Sequence, residues 1–199
     1  LTVKDKEPVK PVYRASATRI NDIIHTKLEV RFDWNKKYLF GKATLTLRPY
    51  FYSTGVLDLD ARGMEIKEVA LLKEGSRQNL KYTYMNDVIH IDLDKVYSNS
   101  ETYQVFIDYI AKPDELAKGG GSDAIKDDKG LYFINADGKD KDKPQQIWTQ
   151  GETQSNSVWM PTFDKPNERM TQEIFITTED KYVTLSNGEL ISIANNGDG

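Results

Sequence analysis

The chain contains no cysteine and only two histidines, His25 and His90. Without a thiol there is no disulfide, no thiolate metal ligand and no cysteine nucleophile. Two histidines on separate stretches fall short of the three or four ligands of a zinc centre, and no H-E-x-x-H helix carries them. No apolar run approaches the roughly 20 residues needed to cross a bilayer. Positive charge is in deficit as well: 27 Lys and Arg against 31 Asp and Glu leave a net charge of −4. With no basic field to displace counterions from phosphates, nucleic acid is not expected as a partner. G-x-S-x-G is missing, and "KGGGSD" lacks the lysine and the strand-loop-helix setting of a phosphate loop. No apolar stripe of 3.6-residue period runs for three turns.

What is present is alternation. Hydrophobic residues make up 38% of the 199 and aromatics 11%, enough for a substantial core. In "HTKLEVRF" Leu28, Val30 and Phe32 share one face. Leu45 and Leu47 do so in "KATLTLRPYF", and Leu57 and Leu59 in "GVLDLD". "MEIKEVALLK" slips near Glu68, the mark of a bulge. "LKYTYMNDVIHIDLD" reads as a hairpin with its turn at Asn86-Asp87, and "TYQVFIDYI" as a strand covered on both faces. "YVTLSNGELISI" predicts a hairpin around Asn187-Gly188, a pair suited to a type I′ turn. At least eight short strands imply an all-β fold: a multi-stranded antiparallel β-sandwich with little helix.

Two regions break the pattern. Residues 1–20 carry two prolines and many charges, and predict an extended lead-in before a domain over 21–199. From Ala111 to about Gln146 the chain predicts one long irregular region, mobile near 114–129. Its acidic residues do not make an EF-hand. With Gly138 at the sixth position, Phe133 falls at the first and Pro144 at the twelfth.

The segment "IWTQGETQSNSVWMPTFDKPNERMTQEI" is polar where a core strand would be aliphatic. "QIWTQGET" reads as extended, so Gln150 and Glu152 project to one side, flanked by Trp148. Gly151 between them permits close backbone approach. A carboxylate beside an amide suits a ligand carrying an ammonium group; solvent-facing strand residues around a bulge would fit the same spacing. Trp159, Met160 and Phe163 read as anchors, and Asp164 as the cap of a turn in "DKPNE".

"GLYF" at 130–133, "WTQGET" at 148–153, "WMPTFDKPNE" at 159–168, "TQEIFIT" and "LSNGEL" occur in an order and spacing that resembles the N-terminal domain of the aminopeptidase N family of zinc metallopeptidases. The resemblance covers the chain from Ile24 onward and is strongest from Gly130 to Leu190. It implies a saddle-shaped β domain ahead of a thermolysin-like catalytic domain. It also implies that Glu152 helps bind the free α-amino group of a peptide substrate and that Gln150 lines the pocket for the first side chain. The family's Gly-x-Met-Glu-Asn and zinc-ligand motifs do not occur here. Catalytic and metal residues are therefore expected outside this chain, in a catalytic domain joined in cis. The chain departs from the family at "QSNSVW", where many members carry basic residues, and in lacking a Cys near the Phe-Asp stretch. These departures imply a divergent branch. That branch and the start at Leu1 are read as signs of an exported bacterial enzyme, and further closing strands are expected after Gly199. A sugar- or protein-binding adhesion sandwich, or a family member serving as a scaffold without catalysis, would share the strand pattern.

Overall fold

The computed structural model describes residues 15–16, 18–116 and 129–199, and these form an all-β structure. Eleven strands follow one another: β1 (Asn21–Asp33), β2 (Tyr38–Pro49), β3 (Thr54–Asp60), β4 (Met64–Lys73), β5 (Ser76–Asn79), β6 (Lys81–Met85), β7 (Val88–Tyr97), β8 (Tyr103–Ala111), β9 (Leu131–Ile134), β10 (Gln146–Thr149) and β11 (Thr171–Thr177). Two short 3-10 turns, Pro113–Glu115 and Asn156–Val158, are the helical elements among the described residues.

The strands sort into a six-stranded sheet in the order β11-β1-β2-β8-β4-β5, a three-stranded sheet β3-β7-β6, and a two-stranded ribbon β10-β9. Alternation decides which side chains are buried. Leu28 and Val30 of β1, Leu45 and Leu47 of β2, and Val105 and Ile107 of β8 turn to one core. Leu57 and Leu59 of β3 and Ile89 and Ile91 of β7 meet them from the smaller sheet. β8 lies between β2 and β4, and Val105, Phe106, Ile107 and Tyr109 are all buried, so both of its faces are covered. The β4 register shifts between Ile66 and Glu68. Asn86 and Asp87 join β6 to β7 with φ of 52° and 63°, the positive values of a type I′ turn.

Three features differ from the sequence expectation. β11 pairs with β1 in parallel, Leu28 opposite Ile174, so the large sheet is mixed. The stretch from Ala111 to Gln146 is not irregular throughout, because β9 and the first 3-10 turn lie in it. Asn135 also ties its loop together, donating to the carbonyls of Asp140 and Lys143 at 2.8 and 2.7 Å. Most of the loop expected to be mobile, 117–128, lies outside the described residues, as do 1–14 and 17 of the expected lead-in.

The hairpin around Asn187-Gly188 does not form. No strand is present between 178 and 199, and Val183, Leu185 and Ile193 are almost fully exposed. The alternation is there, but no sheet edge or facing layer meets it, and two strands alone are marginal in water. Tyr182 is the exception: its ring stacks on Trp34 with centroids 4.8 Å apart.

Candidate substrate cleft

β10 ends at Thr149, so Gln150, Gly151 and Glu152 lie in the turn that follows and not in a strand. Their placement comes from the contacts around that turn. Gln150 N donates to Gly130 O at 2.9 Å, and Ser155 N to Gly151 O at 3.0 Å. Gly130 has φ of +65°, and a Cβ there would stand 1.9 Å from Ser155 O. Both conditions demand glycine at the head of "GLYF". The turn brings the Gln150 and Glu152 side chains together, Nε2 of one 3.5 Å from Oε2 of the other. The convergence expected from spacing is present, reached through a turn in place of strand alternation.

The two side chains border a solvent-open cleft of about 450 Å³, which Gly151, Asn156, Asp164 and Lys165 also line. Glu152 is exposed and forms no ion pair with any described residue. Gly151 does allow a close approach, but by the chain itself: a Cβ on it would lie 2.4 Å from Asn156 Oδ1. Trp148 does not line the cleft. It stacks on Tyr132 across the ribbon, centroids 4.6 Å apart and planes at 15°.

The far wall is fixed to the sandwich by buried polar contacts. Asp164 is buried and accepts the Ser157 N–H at 2.9 Å, so it holds the 3-10 turn Asn156–Val158, where capping of the "DKPNE" turn was expected. That later turn closes without it, Glu168 N donating to Lys165 O at 3.2 Å. Asp164 N donates to Asp60 Oδ2 at 2.9 Å. Asp60 and Thr162 exchange backbone bonds of 2.8 and 3.1 Å, and Arg62 N donates to Ser157 O at 2.8 Å. From the large sheet, the buried Tyr109 hydroxyl donates to Trp159 O at 2.9 Å. Burial pushes the Tyr109 phenol well above its usual pKa, so it remains a donor throughout the physiological range. Met160 is buried, and Trp159 and Phe163 pack on the core, as anchors should. Asn156 and Lys165 were not foreseen as cleft residues. Gly151 was the available signal for Asn156, since a glycine beside two functional side chains implies a neighbour pressed against it.

Among the described residues no group of three or more His, Cys, Asp or Glu side chains could hold a metal. His25 Nδ1 lies 2.7 Å from Thr171 Oγ1, and His90 Nδ1 lies 2.5 Å from Asp58 Oδ1. Neither belongs to a zinc donor set, so the residues present do not fit that ion. Among the described residues no helix is long and apolar enough to cross a membrane.

The fold recurs in solved structures. An M1 zinc metallopeptidase from Deinococcus radiodurans aligns with a TM-score of 0.63 at 18% identity, over 79% of this chain and 32% of its own. A mutant M1 zinc metallopeptidase from the same organism, bound to a Tyr-Ser-Ala substrate, aligns at 0.62 with the same identity and coverage. Native yeast LTA4 hydrolase aligns at 0.55 and 18% identity, over 79% of this chain and 23% of its own. This chain thus spans about a third or less of the proteins whose fold it shares. No curated protein matches its sequence. Residues 22–199 match the family model for the peptidase M1 N-terminal domain, and the chain belongs to that family.

Proposed function

We propose that this chain forms one wall of the substrate cleft of a zinc-dependent aminopeptidase. Glu152 binds the free α-ammonium of a peptide, and Gln150 borders the pocket for its first side chain. Residues 21–199 are the N-terminal β domain of a longer protein, and the zinc ligands lie in a catalytic domain elsewhere in it. The observation that carries the reading is the convergence of Gln150 and Glu152 on an open polar cleft, with the carboxylate unmatched by any described cation. Family membership supports it, as does a neighbour of the same fold bound to a tripeptide substrate.

An exopeptidase must detect a free amino terminus, and a fixed carboxylate meeting an ammonium does so directly. A charge-assisted hydrogen bond of that kind contributes roughly 1.5–3 kcal/mol. Glu152→Gln keeps the shape and removes the charge. In the full-length protein it should lower kcat/KM for aminoacyl substrates on the order of ten- to a hundred-fold, with zinc content unchanged. Gln150→Ala should shift preference among first side chains and keep the free-amine requirement. A Glu152→Gln enzyme within about twofold of wild type would refute the amine-anchor role.

A further inference from the structure

We propose that Lys165 makes this cleft selective for peptide N-termini whose first residue is acidic. The inference rests on Glu152 as the ammonium anchor. Three charged side chains line the cleft: Glu152, Asp164 and Lys165. Asp164 is buried and committed, its carboxylate accepting from Ser157 N. Glu152 and Lys165 are exposed, one of each sign, with the amides of Gln150 and Asn156 as neutral company.

Lys165 is weakly engaged. Its ion pair among the described residues is with Asp60 Oδ2 at 3.8 Å, beyond hydrogen-bond reach. That same oxygen already accepts from Asp164 N at 2.9 Å. An ammonium has three donors, so its capacity is open to a ligand. The root of the side chain is held, because Lys165 N donates to Phe163 O at 2.9 Å, Lys165 O accepts from Glu168 N at 3.2 Å, and Pro166 follows. The Lys165 backbone is therefore set at a defined point on the cleft wall, and the residue lines both this cleft and the neighbouring hollow of Asp58, Asp60 and Glu168, its ammonium 3.8 Å from Asp60 Oδ2.

A ligand matched to this layout carries a cation and an anion a few bonds apart. The α-ammonium of an N-terminal Asp or Glu meets Glu152, and its side-chain carboxylate meets Lys165. A basic first residue places its cation against Lys165 instead. Both lysine and cleft are open to water, so screening limits the discrimination to about tenfold between acidic and basic first residues.

The test is kcat/KM of the full-length protein on substrates beginning with Glu, Leu or Arg, free and N-acetylated, for wild type, Lys165→Met and Lys165→Glu. Wild type should favour Glu over Arg about tenfold, Lys165→Met should level the series, and Lys165→Glu should invert it. On the 199-residue chain itself, nuclear magnetic resonance titration with C-terminally amidated Glu-Ala and Lys-Ala dipeptides reads the same preference without turnover. A Glu-to-Arg ratio unchanged in Lys165→Glu, with the free-amine requirement intact, overturns the Lys165 assignment alone. Acetylated substrates processed as fast as free ones overturn the amine reading alone.

Discussion

Gly151→Ala tests whether the cleft is built by steric contact between the Gln150–Glu152 turn and Asn156. The added Cβ would stand 2.4 Å from Asn156 Oδ1, 2.6 Å from Nδ2 and 2.7 Å from Cγ. The Gly151 φ lies outside the left-handed region, so alanine is conformationally acceptable. With open space around it, the change would stabilise the fold by about 0.4–1 kcal/mol through the unfolded chain. The collision reverses that sign. Asn156 cannot retreat as a unit, because its carbonyl accepts from Trp159 N and Met160 N at 3.1 and 3.0 Å. Only its side chain can turn away, off its rotamer, at about 0.5–1.5 kcal/mol, with overpacking bringing the net cost to about 1–2 kcal/mol. For a chain of this size that is a Tm loss of roughly 2–8 °C. Asn156→Ala removes the colliding atoms, so the double variant should recover most of the loss, with a coupling of about 1–2 kcal/mol. The assay is thermal unfolding of the four proteins of the cycle. A Gly151→Ala chain as stable as wild type, or a double variant no better than Gly151→Ala, would show that Asn156 does not shape the turn.

Tyr109→Phe leaves the Trp159 carbonyl without its buried donor. It should cost about 1–2 kcal/mol and speed amide exchange across 150–164 more than in β6 and β7; uniform acceleration would mean the bond does not anchor the cleft. Tyr97 is pushed up to about 12, first by burial and then by donating to Asp94. A raised folded pKa gives stability that is whole below the unfolded value near 10 and is lost as pH rises through about 12. Chemical unfolding between those limits should show falling stability, and Tyr97→Phe should flatten the slope.

The two packed sheets were legible because alternation is a local consequence of strand geometry. Leu28 with Val30, Leu57 with Leu59, and Ile89 with Ile91 are all buried as their spacing implies. The Asn86-Asp87 turn and the slip at Glu68 were legible for the same reason, since each is written in neighbouring residues. Partner choice was not. β11 alternates equally well beside a parallel or an antiparallel neighbour, and only the tertiary structure places it along β1. The 182–193 stretch shows the complementary failure. Its pattern specifies a strand in need of a cover, and alternation cannot say whether a cover exists.

The cleft was half legible on the same terms. Gln150 and Glu152 are two residues apart, so any extended or tightly turned backbone brings them close, and their convergence survived the error about the strand. Asn156 and Lys165 reach the cleft through contacts that span the sequence: Gly130 under Ser155, and Asp60 under Asp164 and Thr162. Those contacts are backbone bonds and one half-buried carboxylate, that of Asp60, which carry no periodic signature. They also explain the division of labour in the polar segment. Asp60, Asp164 and Tyr109 spend polar atoms on the protein and hold the wall still, whereas Glu152, Asn156 and Lys165 line the cleft, Glu152 and Lys165 exposed. The turn carrying Glu152 is tied to that wall through the Ser155 N to Gly151 O bond, and the less freedom such a turn has to lose when a ligand arrives, the more of the interaction energy appears as affinity. On the proposed function, the segment is polar because one set of its side chains fastens the wall and the other lines the cleft where the peptide N-terminus would bind.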